Sequence, residues 1–217
     1  MKIPLLIALL FTGPMASAND TSYYAVLRSS LVIADQEYSL STYQNLANTC
    51  DRVIALRENE WLPVYYRAYA YAHLGYMTED EEKKDALLDK AQASADAALI
   101  MNPEESENQL LIALICYGRM EINPMFRATT YFPKANAALE KAKELNPGNP
   151  RIYYLEGKST IYKPAFMGGG VEAALPILEK SLQYFEEFTL PFDLYPHWGE
   201  EDTLRLYQNC KGEIEEN

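Results

Sequence analysis

Three places in the chain carry residue types that could do chemistry. The first is Phe166-Met167-Gly168-Gly169-Gly170-Val171-Glu172, where three glycines precede a helical pattern. Such a loop can cradle a phosphate through free backbone N–H groups and the positive end of the helix dipole. Glycine also serves any tight reversal that needs φ > 0. Here no strand pattern precedes the glycines, no Lys-Ser/Thr follows them, and Glu172 sets a carboxylate where the anion would approach. Three glycines inside a helix would cost roughly 2 to 3 kcal/mol relative to alanine, so they must lie in a break. The stretch is expected to be a wide interhelix turn, with Phe166 and Met167 packing against the next helix.

The second place is Thr78 to Asp85, "TEDEEKKD". A calcium loop needs alternating oxygen ligands, a central glycine and a distal glutamate, which this run lacks. Acids in a first helical turn gain about 0.3 to 1 kcal/mol from the dipole, so a solvated helix start explains them. The third is aromatic. Among 17 tyrosines, Tyr65, Tyr69 and His73 recur every four residues, which aligns them along one stripe of a helix. The two histidines, His73 and His197, have no nucleophile-and-base or H-E-x-x-H arrangement around them. Cys50, Cys116 and Cys210 show no C-x-x-C or Cys/His spacing; they read as buried packing residues, although export would permit one pair to bridge. No catalytic residue, metal site or cofactor is expected, and the protein is not expected to be an enzyme.

These residues must be held by helices, because nothing in the chain alternates as a strand does. Residues 1–18, "MKIPLLIALLFTGPMASA", combine Lys2, an apolar run and an Ala16-Ser17-Ala18 site, the form of a signal peptide cleaved after Ala18. Asn19 stands where a lipid-anchored protein would need cysteine, so export to the periplasm as one domain, residues 19–217, is expected. With 31 acidic against 19 basic residues, the chain repels nucleic acid and anionic lipid, and no apolar segment is long enough for membrane insertion. Capping signals at Ser41-x-x-Gln44, Thr78-x-x-Glu81, Asn102-Pro103 and Asn149-Pro150 help divide the chain. They predict helices near 20–37, 42–57, 62–76, 79–101, 104–120, 131–145, 150–163, 171–188 and 199–212. Short connections make consecutive helices antiparallel neighbours.

Ala91, Ala95, Ala98 and Pro103 repeat the spacing of Ala135, Leu139, Ala142 and Pro147, and Ala174, Leu178 and Ser181 follow it again. Val64, Ala68, Tyr71 and Gly75, with Ala113 and Gly157, supply the large, small, aromatic and glycine positions of first helices. This pattern resembles the tetratricopeptide (TPR) repeat, with Arg67 and Glu156 in place of its leucine and a longer spacer between halves. "EWLPVYYRAYAY", "NAALEKAKELNPGNPR" and "PHWGEED" are further similar to a group of small exported TPR-like proteins of Bacteroidetes-type Gram-negative bacteria, to which no activity is assigned. A weaker resemblance is to the TPR-like component of some TRAP-type solute transporters.

The resemblance implies an all-α, right-handed array of about four TPR-like antiparallel hairpins, ended by a C-terminal capping helix. In that register Tyr65, Tyr69 and His73 face the concave side. Leu110, Leu114 and Tyr117 join them from the next hairpin, and Arg151, Tyr154 and Lys158 from the third. The expected function is therefore a non-catalytic interaction module that binds a protein segment or peptide in a tyrosine-lined groove. The alternative is a solute-handling accessory protein that holds a small ligand between hairpins. The stretch 186–199, "EEFTLPFDLYPHWG", is too apolar to stay in water and is expected to wrap over the last hairpin.

Overall fold

The computed structural model describes the backbone of residues 18–216 and the side chains of residues 23–215. The expected signal peptide lies outside the described residues except for Ala18, which opens the first helix. Nine α-helices follow one another with no strand among the described residues: α1 Ala18–Gln36, α2 Leu40–Leu56, α3 Trp61–Met77, α4 Glu81–Met101, α5 Ser106–Ile122, α6 Pro124–Leu145, α7 Pro150–Tyr162, α8 Val171–Glu187 and α9 Glu200–Glu216. They pair as hairpins α1/α2, α3/α4, α5/α6 and α7/α8, while α9 packs on α8. Helices α3, α5 and α7 also touch in succession and form an inner row. The architecture is the expected all-α helical repeat array.

Local chemistry sets the boundaries. Asn149 accepts from the Arg151 N–H ahead of Pro150, as its sequence promised. Other starts move by a residue or more. Ser39 rather than Ser41 caps α2, accepting from Thr42 N, and Asp80 rather than Thr78 caps α4, accepting from Lys83 N. Asn102 closes α4 instead of opening α5, and Glu105 takes the cap of α5. Helix α6 starts at Asn123-Pro124, another cap-proline pair, and carries Pro133 inside it. The expected start at 131 is late, since the helix begins at Pro124 and continues through Pro133.

The small-residue repeat is the packing code of the second helices. Ala91, Ala95, Ala98, Ala135, Ala142, Ala174, Leu178 and Ser181 are all fully buried, and Leu139 nearly so. Leu178 from α8 presses directly onto Gly157 of α7. A Cβ at Gly157 would lie 2.6 Å from Leu178 Cδ2 and 2.8 Å from Cγ. Gly157→Ala should therefore destabilise the fold by about 1 to 2 kcal/mol, overpacking outweighing the alanine's helix preference. Gly212→Ala in α9, where a Cβ meets nothing within 4 Å, should instead add up to about 1 kcal/mol. Urea unfolding of the two variants checks the opposite signs.

The glycine turn also resolves. Gly168 and Gly170 have φ of 78° and 103°, which a side chain would resist. The Gly168 N–H donates to Ala165 O at 2.9 Å, that of Gly169 to Pro164 O at 3.2 Å, and that of Gly170 to Thr160 O at 2.9 Å. All three donors are spent on the turn itself, so no phosphate cradle exists there. Phe166 is 90% exposed and Met167 is also exposed, which corrects the expectation that they pack on the next helix. Cys50, Cys116 and Cys210 are free and buried, and burial raises each thiol, that of Cys50 to about 12.

Candidate functional site

The stretch between α8 and α9 decides the site. It does not merely wrap over the last hairpin; it runs across the inner row to the first helix. Tyr66 of α3 donates its hydroxyl to Leu194 O at 2.9 Å, Tyr195 donates to Glu105 of α5 at 2.8 Å, and Arg151 of α7 donates to Pro196 O. Trp198 Nε1 donates to the Tyr65 hydroxyl at 2.7 Å. At the far side His197 Nε2 meets Asp35 of α1 at 2.9 Å, and Asp193 pairs with Arg28. Leu194 sits at φ 65°, a conformation that costs a branched side chain energy and that its burial and the Tyr66 bond enforce. This strap of chain lies along the inner row formed by α3, α5 and α7.

Its anchor is a buried ion pair. Glu107 of α5 and Arg151 are both 0% exposed, with Arg151 Nη1 3.1 Å from Glu107 Oε1. Asn149 donates to the same carboxylate at 2.6 Å and Tyr65 at 3.1 Å. Burial raises the Glu107 carboxyl, and Arg151 opposes that rise. The guanidinium also lies over the rings of Phe188 and Trp198, at 5.0 and 5.5 Å from their centroids. A pair this deep fixes which residues meet more than it adds stability, because both charges have lost their water.

Beside the strap remains a cavity of about 640 Å³, within the range of small-molecule sites. Five tyrosines line it, Tyr38, Tyr43, Tyr69, Tyr76 and Tyr154, together with Trp198 and both histidines. His73 is ringed by Tyr69, Tyr43, Tyr38 and Tyr76, with centroids at 4.3, 4.9, 5.6 and 6.1 Å. Trp198 stands 5.6 Å from Tyr69 and 6.1 Å from Tyr154. Asp35, Glu200, Glu201 and Asp202 also border the cavity. Of its two lysine and arginine side chains, Arg205 pairs with Asp202, while Lys158 lies 5.4 Å over the Tyr76 ring and has no carboxylate partner among the described residues. A second hollow of about 560 Å³ lies between α4, α5 and α6, but its Arg119 is already paired with Asp85 and Asp89.

The structure divides the residues expected to form the groove. Tyr69, His73, Leu114, Tyr154 and Lys158 come together around the cavity. Tyr65, Leu110 and Arg151 are fully buried, because the strap and the Glu107 pair cover their end of the stripe. They are corrected from surface contacts to interior supports. Tyr117, half-buried on α5, lies outside the cavity lining. Sequence reasoning missed Tyr38, Tyr43, Tyr76, Trp198 and His197 as members of the site. The one usable signal was that the strap carried an otherwise scarce histidine and tryptophan.

The two imidazoles are tuned oppositely. Burial and nearby Lys158 lower His73 to about 3, whereas the bond to Asp35 raises His197 above its ordinary 6.5. For His73 the unfolded chain binds the extra proton between about pH 3 and 6.5, so this group makes stability fall as pH drops through that window. His197 works in the other direction: its contribution is full below 6.5 and is lost as pH rises through its higher folded value. A His73→Phe variant should show a flatter loss of stability from pH 6.5 to 4 than the parent, measured by chemical denaturation at each pH.

A TPR-like helical array with a strap of chain laid along its inner row, beside an aromatic cavity, defines the class of protein. No family model matches the chain, and no curated protein does. Among solved structures it is similar to the HusA haemophore from Porphyromonas gingivalis, 31% identical over 89% of this chain and 94% of that one, with a TM-score of 0.79. It is also similar to a thermophilic TPR protein of Thermus thermophilus, 19% identical over 88% of this chain and 80% of that one, with a TM-score of 0.57, a likeness of fold. The chain belongs to the HusA-like family of TPR-like helical proteins. It is thus a helical interaction or ligand-binding module. No described helix is long and apolar enough to cross a membrane.

Proposed function

We propose that this protein is an exported carrier that captures haem, or a similarly flat aromatic ligand, in the cavity beside the strap. The observation that carries this reading is the convergence of five tyrosines, Trp198 and both histidines of the chain on one space of about 640 Å³. Aromatic faces suit a planar macrocycle because they supply large apolar area at little entropic cost. Lys158 is placed to meet a ligand carboxylate, since the remaining cation of the lining is already paired. The name of the relative, a haemophore, agrees with that chemistry. Haem here is cargo, and no catalytic step is assigned.

A small ligand is preferred over a bound peptide because the chain's own strap already takes the side-chain donors of Tyr66 and Arg151 on the inner row and itself donates to Tyr65. Export to the periplasm or beyond, through the leader read at residues 1–18, would place the carrier where free haem must be gathered. The test is a titration of the purified mature protein with haem, followed by the Soret band. Saturable binding at one haem per chain supports the reading. A linear response indistinguishable from that of an unrelated acidic protein overturns it.

A further inference from the structure

We propose that the turn end of the third and fourth hairpins is a lipid-contacting surface that seats the protein on a zwitterionic phospholipid bilayer. The proposal is independent of what the aromatic cavity holds. Four of the five most exposed large apolar side chains among the described residues fall on two turns. Met125 and Phe126, 83% and 74% exposed, begin α6; Tyr162 and Phe166, 77% and 90% exposed, stand with Met167 at the turn from α7 to α8. Both turns join the first helix of a hairpin to its second, and the first helices α3, α5 and α7 pack in succession. Lys158, near the end of α7, lies over Tyr76, near the end of α3, so these helices end on the same side. The two tips therefore project from one end of the array.

Their backbone suits a medium without water. The N–H groups of Met167, Gly168, Gly169 and Gly170 all bond inside the turn, at 2.9 to 3.2 Å, and Pro164 has none to spend. On the other tip Asn123 accepts from Phe126 N, and Pro124 again lacks an N–H. A tip that satisfies its own donors can enter an apolar layer, where exposed ones could find no partner. The side chains are graded in the same sense. Residues 164–171 carry no charge, and Tyr162 and Lys163 precede them with apolar bodies and polar ends that suit headgroup depth. Charge then selects the bilayer. At the α6 tip Glu121 pairs with Lys84 and Arg127 with Asp85, which leaves that tip near neutral. The start of α4 exposes Glu79, Asp80, Glu81 and Glu82, and Glu172 opens α8. These acids outnumber Lys83 and Lys163, so they repel anionic headgroups but leave a zwitterionic surface open.

The experiment is flotation of the purified mature protein with phosphatidylcholine vesicles. The parent should float with the vesicles, and replacing a third of the lipid by phosphatidylglycerol should weaken the binding. The double variant Phe166→Ser, Met167→Ser should lower the partition coefficient about tenfold or more while leaving the melting midpoint unchanged, because both side chains are exposed. Phe166→Trp places a reporter at the tip, whose emission should be quenched by phosphatidylcholine brominated in its acyl chains. A parent that stays with the soluble fraction overturns the proposal, as does flotation undiminished in the double variant. Flotation without quenching of the Phe166→Trp reporter overturns the assignment of the tip. A concentration-dependent dimer that disappears in the double variant, with no flotation of the parent, would give the surface to a second copy instead.

Discussion

Arg151→Met is expected to cost this protein about 3 to 5 kcal/mol, the usual penalty for stranding one member of a buried ion pair. The substitution keeps an unbranched apolar stem but removes the guanidinium, and leaves Glu107, 0% exposed, facing only Tyr65 and Asn149. It also removes the donor to Pro196 O, one of the bonds that hold the strap. For a chain of this size each kcal/mol moves the melting midpoint by about 2 to 4 °C, so a drop of roughly 6 to 20 °C should appear in calorimetry. The pH dependence has a definite sign. A Glu107 carboxyl already raised by burial rises further without its arginine, so the folded variant holds a proton the unfolded chain has released. Its stability should therefore fall as pH rises through that range, and the gap to the parent should narrow in acid. Replacing both partners, Arg151→Met with Glu107→Leu, should recover most of the loss, because no charge is then left buried alone.

Trp198→Ala should weaken haem binding about tenfold to a hundredfold, measured by the same Soret titration. Trp198 closes one wall of the cavity, facing Tyr69 and Tyr154, and its indole N–H donates to Tyr65. Its loss removes a large flat contact and frees the strap at the point where it enters the cavity. Trp198→Phe separates the two contributions. That variant keeps a ring but loses the Tyr65 bond, so it should retain most of the affinity while lowering the melting midpoint by a few degrees. If Trp198→Ala binds haem as the parent does, the wall is misassigned and the ligand lies elsewhere.

Much of the fold was legible because its determinants are local. The Asn149-Pro150 pair and the alanine spacing at 91, 95 and 98 and again at 135 and 142 report a helix start and close packing without knowledge of any distant residue, whereas Asn102-Pro103 closes a helix instead of opening one. Boundaries slipped where two polar residues competed for one cap, as Ser39 did with Ser41 and Asp80 with Thr78. The stripe of Tyr65, Tyr69 and His73 was also local, and it does lie along one side of α3. What periodicity could not say was that its first member would be covered. Tyr65 is buried by contacts with Glu107 and Trp198, the latter far along the chain, and Tyr66 is tied to Leu194 in the same way. The strap was recognisable as too apolar for water, but its destination depended on long-range pairings that no spacing encodes. His197 reaches the cavity lining by that route.

The central claim is that haem occupies the space shared by the two histidines. Their scarcity makes the claim directly measurable, since His73 and His197 are the whole histidine content of the chain. Nuclear magnetic resonance of protein labelled only in its histidine rings gives one set of ring signals for each, assigned through His73→Phe. On addition of one equivalent of metal-free protoporphyrin both sets should shift strongly by ring current, and with iron protoporphyrin both should broaden. Porphyrin bound at one per chain with both ring signals unmoved would contradict the account.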